Sequence, residues 1–151
     1  MNDRPYKVYR IEDGIVIDHI PNKRSLDVLK VMGLDQEHDS LITMGINLTS
    51  SKHGLKDVIK IENISLSEMD LNRIALIAPD ATINIIKDGR LTDKHRAELP
   101  DIIRGIIRCP NPNCVTRVQP VPSVFRKSDS GEKVMCHYCE RNFELKYISL
   151  V

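Results

Sequence analysis

The sequence has no tryptophan and few other aromatic residues, two Phe and four Tyr among 151 residues. A nucleic-acid surface that stacks bases on aromatic rings is therefore poorly supplied. It also has no long apolar run, which predicts that no helix spans a membrane. Nor does one sign of charge dominate, since the formal net charge is +1. An apolar fraction of 41% still supports an ordinary core, in one compact domain or two small ones.

Cysteine is also scarce, but all four cysteines lie in one stretch. Cys109 and Cys114 form a Cys-x4-Cys pair, and after 21 intervening residues Cys136 and Cys139 form a Cys-x2-Cys pair. Two such turns can deliver four thiolates to one tetrahedral metal, so we expect a single structural zinc with no open position for catalysis. We expect Asn111 and Asn113 on the rim of the first turn, pointing away from the metal.

Three alternatives to a metal site remain open for these cysteines: two disulfides, a redox Cys-x-x-Cys motif, or four unrelated free thiols. The chain opens with Met1-Asn2-Asp3-Arg4 and no apolar run follows. This predicts no signal peptide and a reducing, cytoplasmic location, which favours the metal over disulfides.

The charge divides unevenly along the chain. Residues 1–100 carry 14 Lys and Arg against 16 Asp and Glu, a net −2, whereas residues 101–151 carry 8 against 5, a net +3. Four thiolates and Zn²⁺ would lower the second value to about +1. This argues against a nucleic-acid-binding zinc ribbon, which remains the alternative from a different functional class. We predict two domains, 1–100 and 101–151, the second folded largely by zinc.

Hydrophobic patterns predict the order strand, helix, strand, strand, helix, strand in residues 1–100. The predicted strands are 8–11 with 15–20, 41–48, 57–62 and 82–86, and the predicted helices are 25–34 and 67–78. Ser67 and Asp70 have the spacing of a capping box at the start of the second helix. The order is typical of the split βαβ, ferredoxin-like arrangement. That α+β fold has a four-stranded antiparallel sheet with two helices on one face.

The rest of the chain predicts a connection followed by a small all-β zinc-binding domain. Residues 91–100 are polar and are assigned to the connection. Short strands are predicted at 102–108, 116–119, 124–127, 133–135 and 143–148. A solvated loop tip is predicted at 127–133.

Strand alternation identifies one candidate ligand face. Lys60 alternates with Ile59 and Ile61, and Asn84 lies between Ile83 and Ile85. If the isoleucines cover the helices, Lys60 and Asn84 share the helix-free face, which is either a ligand site or only the wet side of the sheet. An enzyme that uses Asp18, His19 and Lys60 is a further alternative. However, adjacent strand residues point apart and no nucleophile accompanies them.

Four blocks together are similar to one known family over essentially the whole chain. GIVIDHIP at 14–21, KDVIKIEN at 56–63, APDATIN at 78–84 and the two cysteine motifs resemble aspartate carbamoyltransferase regulatory chains. The resemblance implies a non-catalytic allosteric subunit of pyrimidine biosynthesis whose N-terminal domain binds ATP, CTP and often UTP. It also implies a homodimer whose zinc domain contacts the separate catalytic chain, with no nucleic-acid or membrane partner.

The resemblance also implies roles for individual residues. Asp18, Lys60 and the backbone around Ile11 would contact base and ribose, with Asn84 and Ile86 nearby. His19, Lys56 and Lys94 would be placed toward the phosphates, with Val16 and Leu91 as apolar wall. Asn111, Asn113, Glu140 and Arg141 would contact the catalytic chain. Two positions depart from the family pattern. The family often has an aromatic residue where this chain has Gly89, and usually a small residue where it has Arg10. Both departures bear on which nucleotide the chain prefers as effector.

Overall fold

We describe residues 11–51 and 54–151 from a computed structural model. The chain divides after Glu98 into two compact units, and we describe each by itself. Residues 8–10 of the first predicted strand, Arg10 among them, lie outside the described residues. So do residues 52–53 of the loop predicted between the second and third strands.

The first unit contains one antiparallel sheet and two helices. Its elements are β1 (Gly14–Pro21), α1 (Ser25–Val31), β2 (Ile42–Ser50), β3 (Gly54–Glu62), α2 (Glu68–Ile77), β4 (Thr82–Lys87) and β5 (Arg90–Arg96). The sheet order is β2-β3-β1-β4-β5. The prediction of four strands is therefore wrong, because residues 90–96, mostly assigned to a connection, form the edge strand β5. The architecture is mixed α/β with an antiparallel sheet.

One face of this sheet forms the core of the first unit. Isoleucines on the three central strands are at most 2% exposed: Ile15, Ile17, Ile59, Ile61 and Ile83. The helices contribute Val28, Ile74 and Ala75, all fully buried, and α1 packs against α2. The predicted capping box of α2 is confirmed. Ser67 accepts from the Asp70 backbone N–H, and Asp70 accepts from the Ser67 backbone.

The second unit contains short strands and one turn of helix. Its elements are β6 (Ile102–Arg104), β7 (Ile107–Arg108), α3 (Val115–Val118), β8 (Val124–Lys127), β9 (Lys133–Cys136), β10 (Asn142–Glu144), a 3-10 turn (Leu145–Tyr147) and β11 (Ser149–Leu150). The order β10-β9-β8-β6 makes one sheet, and β11 pairs with β7. Phe125, fully buried, fills the centre and contacts Phe143 at 6.4 Å between ring centroids.

Three predictions for the second unit need correction. Residues 116–119 do not form a strand, because α3 begins directly after Cys114 and makes the second unit not purely β. The strand predicted at 102–108 is broken at Gly105, whose φ of +70° is unsuited to a strand and whose N–H bonds the Ser123 carbonyl. The strand predicted at 143–148 is interrupted by the 3-10 turn.

Candidate functional site

The exposed face of the first sheet brings together residues predicted from four separate segments. Cross-strand register pairs Val16 with Lys60 and with Asn84, and Asn84 with Lys94. Directly paired residues share a face of an antiparallel sheet, so these four form one row across β3, β1, β4 and β5. The row lies on the face opposite the buried isoleucines, because Val16, Lys60 and Asn84 alternate with isoleucines along their strands and Lys94 pairs directly with Asn84.

The remaining predicted residues lie around this row. Ile86 pairs with Leu91 and Gly14 at one end of β4, and Asp18 pairs with Thr82 at the other end. Ile11 is 7% exposed and lies before β1. Gly89 is in the exposed turn between β4 and β5. The structure thus brings apolar residues to one side of the row and polar and charged residues to the other side.

His19 reaches this polar region through a β-bulge that the sequence pattern did not reveal. The pairing of β1 with β3 shifts between Ile17 and Ile20, and His19 has φ +58°. An extra residue in a strand breaks simple alternation, so His19 need not point away from Asp18. Its Nδ1 lies 3.0 Å from the Thr82 Oγ1.

Asp18 and Lys56 form an ion pair beside the bulge. The Lys56 ammonium lies 2.8 Å from Asp18 Oδ1, and the two side chains are 22% and 26% exposed. Burial acts to raise the pKa of the Asp18 carboxyl. The hydrogen bonds from Lys56 and the His19 backbone outweigh it and hold that pKa below its ordinary 3.8. Asp18 is therefore ionised at neutral pH and already paired with Lys56.

An open cavity of about 730 Å³ lies next to this ion pair. It contains the three residues predicted to face phosphates, His19, Lys56 and Lys94. Residues that the sequence reasoning missed complete its wall: Ile20, Pro21, Asn22, Ser50, Leu55, Asp80, Thr82 and Arg96. The Arg96 guanidinium is 3.0 Å from the Asp80 carboxylate. Alternation from Lys94 would have found Arg96, had β5 been recognised as a strand.

The charge of the cavity suits an anion. Its lining includes the cations Lys56, Lys94 and Arg96. Asp18 pairs with Lys56 and Asp80 pairs with Arg96, so these five groups carry a balance of one positive charge. Because Lys94 lines the cavity and also pairs with Asn84 in the row, a molecule that fills the cavity can extend along the row. A polyanion with a polar, partly apolar body matches this arrangement.

The four cysteines of the second unit form one cluster. Their sulfur atoms all lie within 4.8 Å of one another. Cys109 and Cys139 are 3.8 Å apart, and Cys114 and Cys136 are 3.7 Å apart. A disulfide needs about 2.05 Å between sulfurs, whereas thiolates about 2.3 Å from a tetrahedral zinc lie about 3.8 Å apart. The cluster therefore fits a tetrahedral metal and not two disulfides.

Burial and hydrogen bonds shift the pKa values of two cluster thiols, Cys109 and Cys114, in opposite directions. Burial raises the pKa of Cys109 to about 12. Burial also acts to raise the pKa of Cys114. Hydrogen bonds from the Thr116 hydroxyl, 3.2 Å away, and from the Thr116 backbone outweigh it and lower that pKa to about 7. Arg117, which sequence reasoning missed, donates to the Cys109 carbonyl at 2.8 Å. Four thiols this close cannot all ionise without a positive ion between them, which is the role of a structural metal.

The predicted partner-contact residues lie on the two cysteine turns. Asn113, Glu140 and Arg141 are exposed, and Glu140 has φ +58° in the second turn. Asn111 is only 7% exposed, accepts from the Asn113 backbone and hydrogen-bonds Cys139. The expectation that both asparagines point away from the metal is therefore wrong for Asn111, which stiffens the turn from inside.

Among the described residues, none of the helices has the length and apolar character needed to cross a membrane.

Comparison with known proteins gives matches to both units. The family model "Aspartate carbamoyltransferase regulatory chain, allosteric domain" matches residues 6–98, and the model of the metal binding domain of that chain matches residues 101–149. The aspartate carbamoyltransferase regulatory chain of Halobacterium salinarum is 44% identical over 141 residues, 93% of this chain and 90% of the relative.

Two further regulatory chains give similar values. The chain of Pyrococcus furiosus is 44% identical over 140 residues, 91% of this chain and 92% of the relative. The chain of Thermococcus sibiricus is 47% identical over 139 residues, 91% of each. These matches cover both the sheet with its cavity and the four-cysteine cluster.

Proposed function

The chain belongs to the family of aspartate carbamoyltransferase regulatory chains, and we propose that its allosteric domain binds the nucleoside triphosphates ATP, CTP and UTP as effectors. Membership makes it a non-catalytic subunit with an allosteric and a metal-binding domain and implies a catalytic-chain partner. The enzyme and nucleic-acid alternatives thereby lose their support.

The observation that carries the proposal is that residues assigned to phosphates by the family resemblance also line one cavity in the structure. Three residues assigned to phosphates, His19, Lys56 and Lys94, line one cavity, although 36 residues lie between the first two and 37 between the last two. Lys94 also belongs to the row with Lys60, Asn84 and Val16. The cations would hold the triphosphate in the cavity while the row, with Ile86 and Leu91 beyond it, would hold ribose and base.

We infer the ferredoxin-like arrangement for the first domain. The strand order β2-β3-β1-β4, with helices after β1 and β3, supports it, and β5 extends the sheet at one edge. We further propose residues 1–100 as the effector-binding domain and 101–151 as the zinc-binding domain.

In the second domain we propose zinc as the metal held by Cys109, Cys114, Cys136 and Cys139. The four sulfur ligands and their spacing favour it, because a closed tetrahedral thiolate site is typical of structural zinc. When bound, the ion would cross-link the two cysteine turns. Asn113, Glu140 and Arg141 would then be held on a rigid exposed edge for contact with the catalytic chain, with Asn111 supporting them from within.

Regulation would follow from differential binding. An effector that binds one quaternary state of the assembly more tightly shifts the population toward that state, and the shift cannot exceed this difference in affinity. We propose a homodimer of regulatory chains as the unit that binds catalytic chains, which act in pyrimidine biosynthesis.

Calorimetric titration of the zinc-loaded full-length chain with CTP and ATP tests the proposal. We expect saturable binding that Lys60→Ala weakens about tenfold, the loss of a charged hydrogen bond. Lys30→Ala, an exposed lysine on α1, should leave the affinity unchanged. No binding at millimolar nucleotide, or equal loss in both variants, would overturn the effector site and leave a metal-stabilised adaptor.

A further inference from the structure

Asp57 is a buried carboxylate that the effector site described above does not include. It is 0% exposed and lies in β3 between Lys56, which lines the cavity, and the buried Val58. A buried charge must be satisfied by donors. Its Oδ1 accepts from the Asn47 backbone N–H at 3.2 Å and from Asn22 Nδ2 at 3.3 Å, and its Oδ2 accepts from the Ser25 N–H at 3.2 Å.

These donors come from three different segments. Asn47 is in the edge strand β2, Asn22 is in the turn after β1, and Ser25 begins α1. Asn22 also donates to the Asn47 side-chain oxygen, and it lines the cavity. Asp57 therefore joins the wall of the cavity to β2 and to the start of α1.

Both strands that flank β3 carry a bulge at the level of Asp57. On the β1 side, Ile17 pairs with Ile59 but Ile20 pairs with Asp57, so β1 has one extra residue. On the β2 side, Gly45 pairs with Val58 but Leu48 pairs with Lys56, so β2 also has one extra residue.

Each bulge contains a residue in the left-handed region, His19 with φ +58° and Asn47 with φ +64°. Such a conformation is unfavourable for residues other than glycine and persists where surrounding bonds impose it. Asp57 supplies such a bond directly at Asn47. On the β1 side it holds Asn22, one residue beyond the end of β1.

We propose that Asp57 is a positioning residue for the effector cavity, which sets His19 and Lys56 by fixing the paired bulges and links the cavity to edge strand β2. This inference rests on the proposed nucleotide site. It predicts that residues in β2 outside the cavity alter nucleotide affinity through backbone conformation alone.

Asn47 offers a matched pair of variants, because it is exposed and does not line the cavity. Alanine disfavours a positive φ, whereas glycine adopts it freely. In the zinc-loaded full chain we expect Asn47→Ala to weaken CTP binding about fivefold and Asn47→Gly to weaken it less than twofold, because the backbone bond to Asp57 survives in the glycine variant. Equal affinities for the two variants would overturn the proposal.

A double-mutant cycle tests whether Asp57 acts through His19. Asp57→Asn keeps the size of the side chain but removes its charge and one acceptor oxygen. We expect about tenfold weaker CTP binding in the otherwise unchanged chain but less than twofold in a His19→Ala background, because coupled residues are not additive. Additive losses would show that Asp57 only supports the fold. Ile74→Val, a core change in α2, controls for lowered stability and should leave CTP affinity unchanged.

Amide hydrogen exchange tests the proposal in the absence of nucleotide. Asp57→Asn should accelerate exchange of the Asn47 and Ser25 amides and of His19, while amides of α2 keep their protection. Unchanged exchange at His19 would overturn the link between the bulges. If the wild-type chain binds no nucleotide but His19 responds to Asp57→Asn, the effector proposal fails while the coupling of the bulges stands.

Discussion

The two units of this chain fix their functional groups by different means. The first fills one sheet face with isoleucines and places polar groups on the other, next to a bulge in β1 and the Lys56–Asp18 ion pair. The second has short strands around Phe125, and four cysteine sulfurs meet at a single point. In the first unit many weak contacts together hold the functional groups in place, whereas in the second unit the four-cysteine cluster alone does so.

This difference determines how each unit should fail. A sheet with an apolar core loses stability in increments, because each side chain contributes a small part. A unit of about 50 residues buries little surface and depends on its metal, so the loss of one ligand affects the whole unit.

Replacing one cysteine should have the largest effect on the molecule. Cys114→Ser removes one of four sulfur ligands, so we expect the second unit to lose its metal and unfold, with loss of the contact we propose for it with the catalytic chain. The first unit should keep its amide protection and the nucleotide binding that we propose for it. Metal analysis and hydrogen exchange of the variant would measure both units together. Ser130→Ala, an exposed loop change, serves as the control.

The comparison between the units would break if Cys114→Ser removed nucleotide binding as well. That result would mean that the two units fold as one cooperative body. Metal retained at full content with three cysteines would contradict the closed four-sulfur site.

The converse change, in the isoleucine face, should have an intermediate effect. Ile59 is fully buried, and Ile59→Ala should lower the free energy of unfolding of the first unit by about 2–5 kcal/mol. Urea unfolding would measure this, and metal content should stay unchanged. Met69→Ala, a 53% exposed position on α2, should change stability by less than about 0.5 kcal/mol. Metal loss in Ile59→Ala would show that the second unit needs the first core.

Local signals in the sequence predicted the main feature of each unit, the buried isoleucine face and the cysteine cluster. The cysteine spacing predicted the cluster, because four ligands within two short turns leave few other arrangements. The capping box at Ser67 and the alternation around Ile59 and Ile83 predicted α2 and the buried face, because both depend on residues close in the chain.

The features that were missed depend on tertiary context. Strand β5 has seven exposed residues and no alternation, so it is recognisable only by its pairing with β4. The bulges at His19 and Asn47 are visible only in the pairing of β1 and β2 with β3, and the Asn47 N–H bonds a carboxylate in β3, so no short pattern marks them. Residues 116–119 have strand composition, yet α3 forms here because the Arg117 N–H bonds the Cys114 carbonyl and the Gln119 N–H bonds the Val115 carbonyl, each at 2.9 Å.

Acid should act on the first unit through the Asp18–Lys56 pair. Because the folded pKa of Asp18 lies below 3.8, its stabilising contribution is fully present above that ordinary value and is lost as pH falls through the folded pKa. Asp18→Asn should lower stability at pH 7 by about 1 kcal/mol, and this difference should vanish at the acid end. Urea unfolding from pH 7 to pH 2 would measure it.

Signals from the first unit are needed for this titration, because acid also displaces metal from thiolates in the second. Asp39→Asn, an exposed carboxylate, provides the matched control with little change at any pH. A stability difference for Asp18→Asn that grew as pH fell would mean that the carboxylate is not held by its partner.

The smallest effect on stability is expected at an exposed ion pair of the second unit. It contrasts with the partly buried Asp18–Lys56 pair of the first unit. The Lys146 ammonium lies 3.4 Å from Glu144, and this contact raises the pKa of Lys146, but the side chain is 68% exposed. Water screens such a pair, so Lys146→Ala should change neither thermal stability nor metal content measurably. Lys56→Ala, at a side chain only 22% exposed, should destabilise the first unit and weaken nucleotide binding. If Lys146→Ala instead released the metal, surface charge would have to stabilise the second unit alongside its four sulfurs.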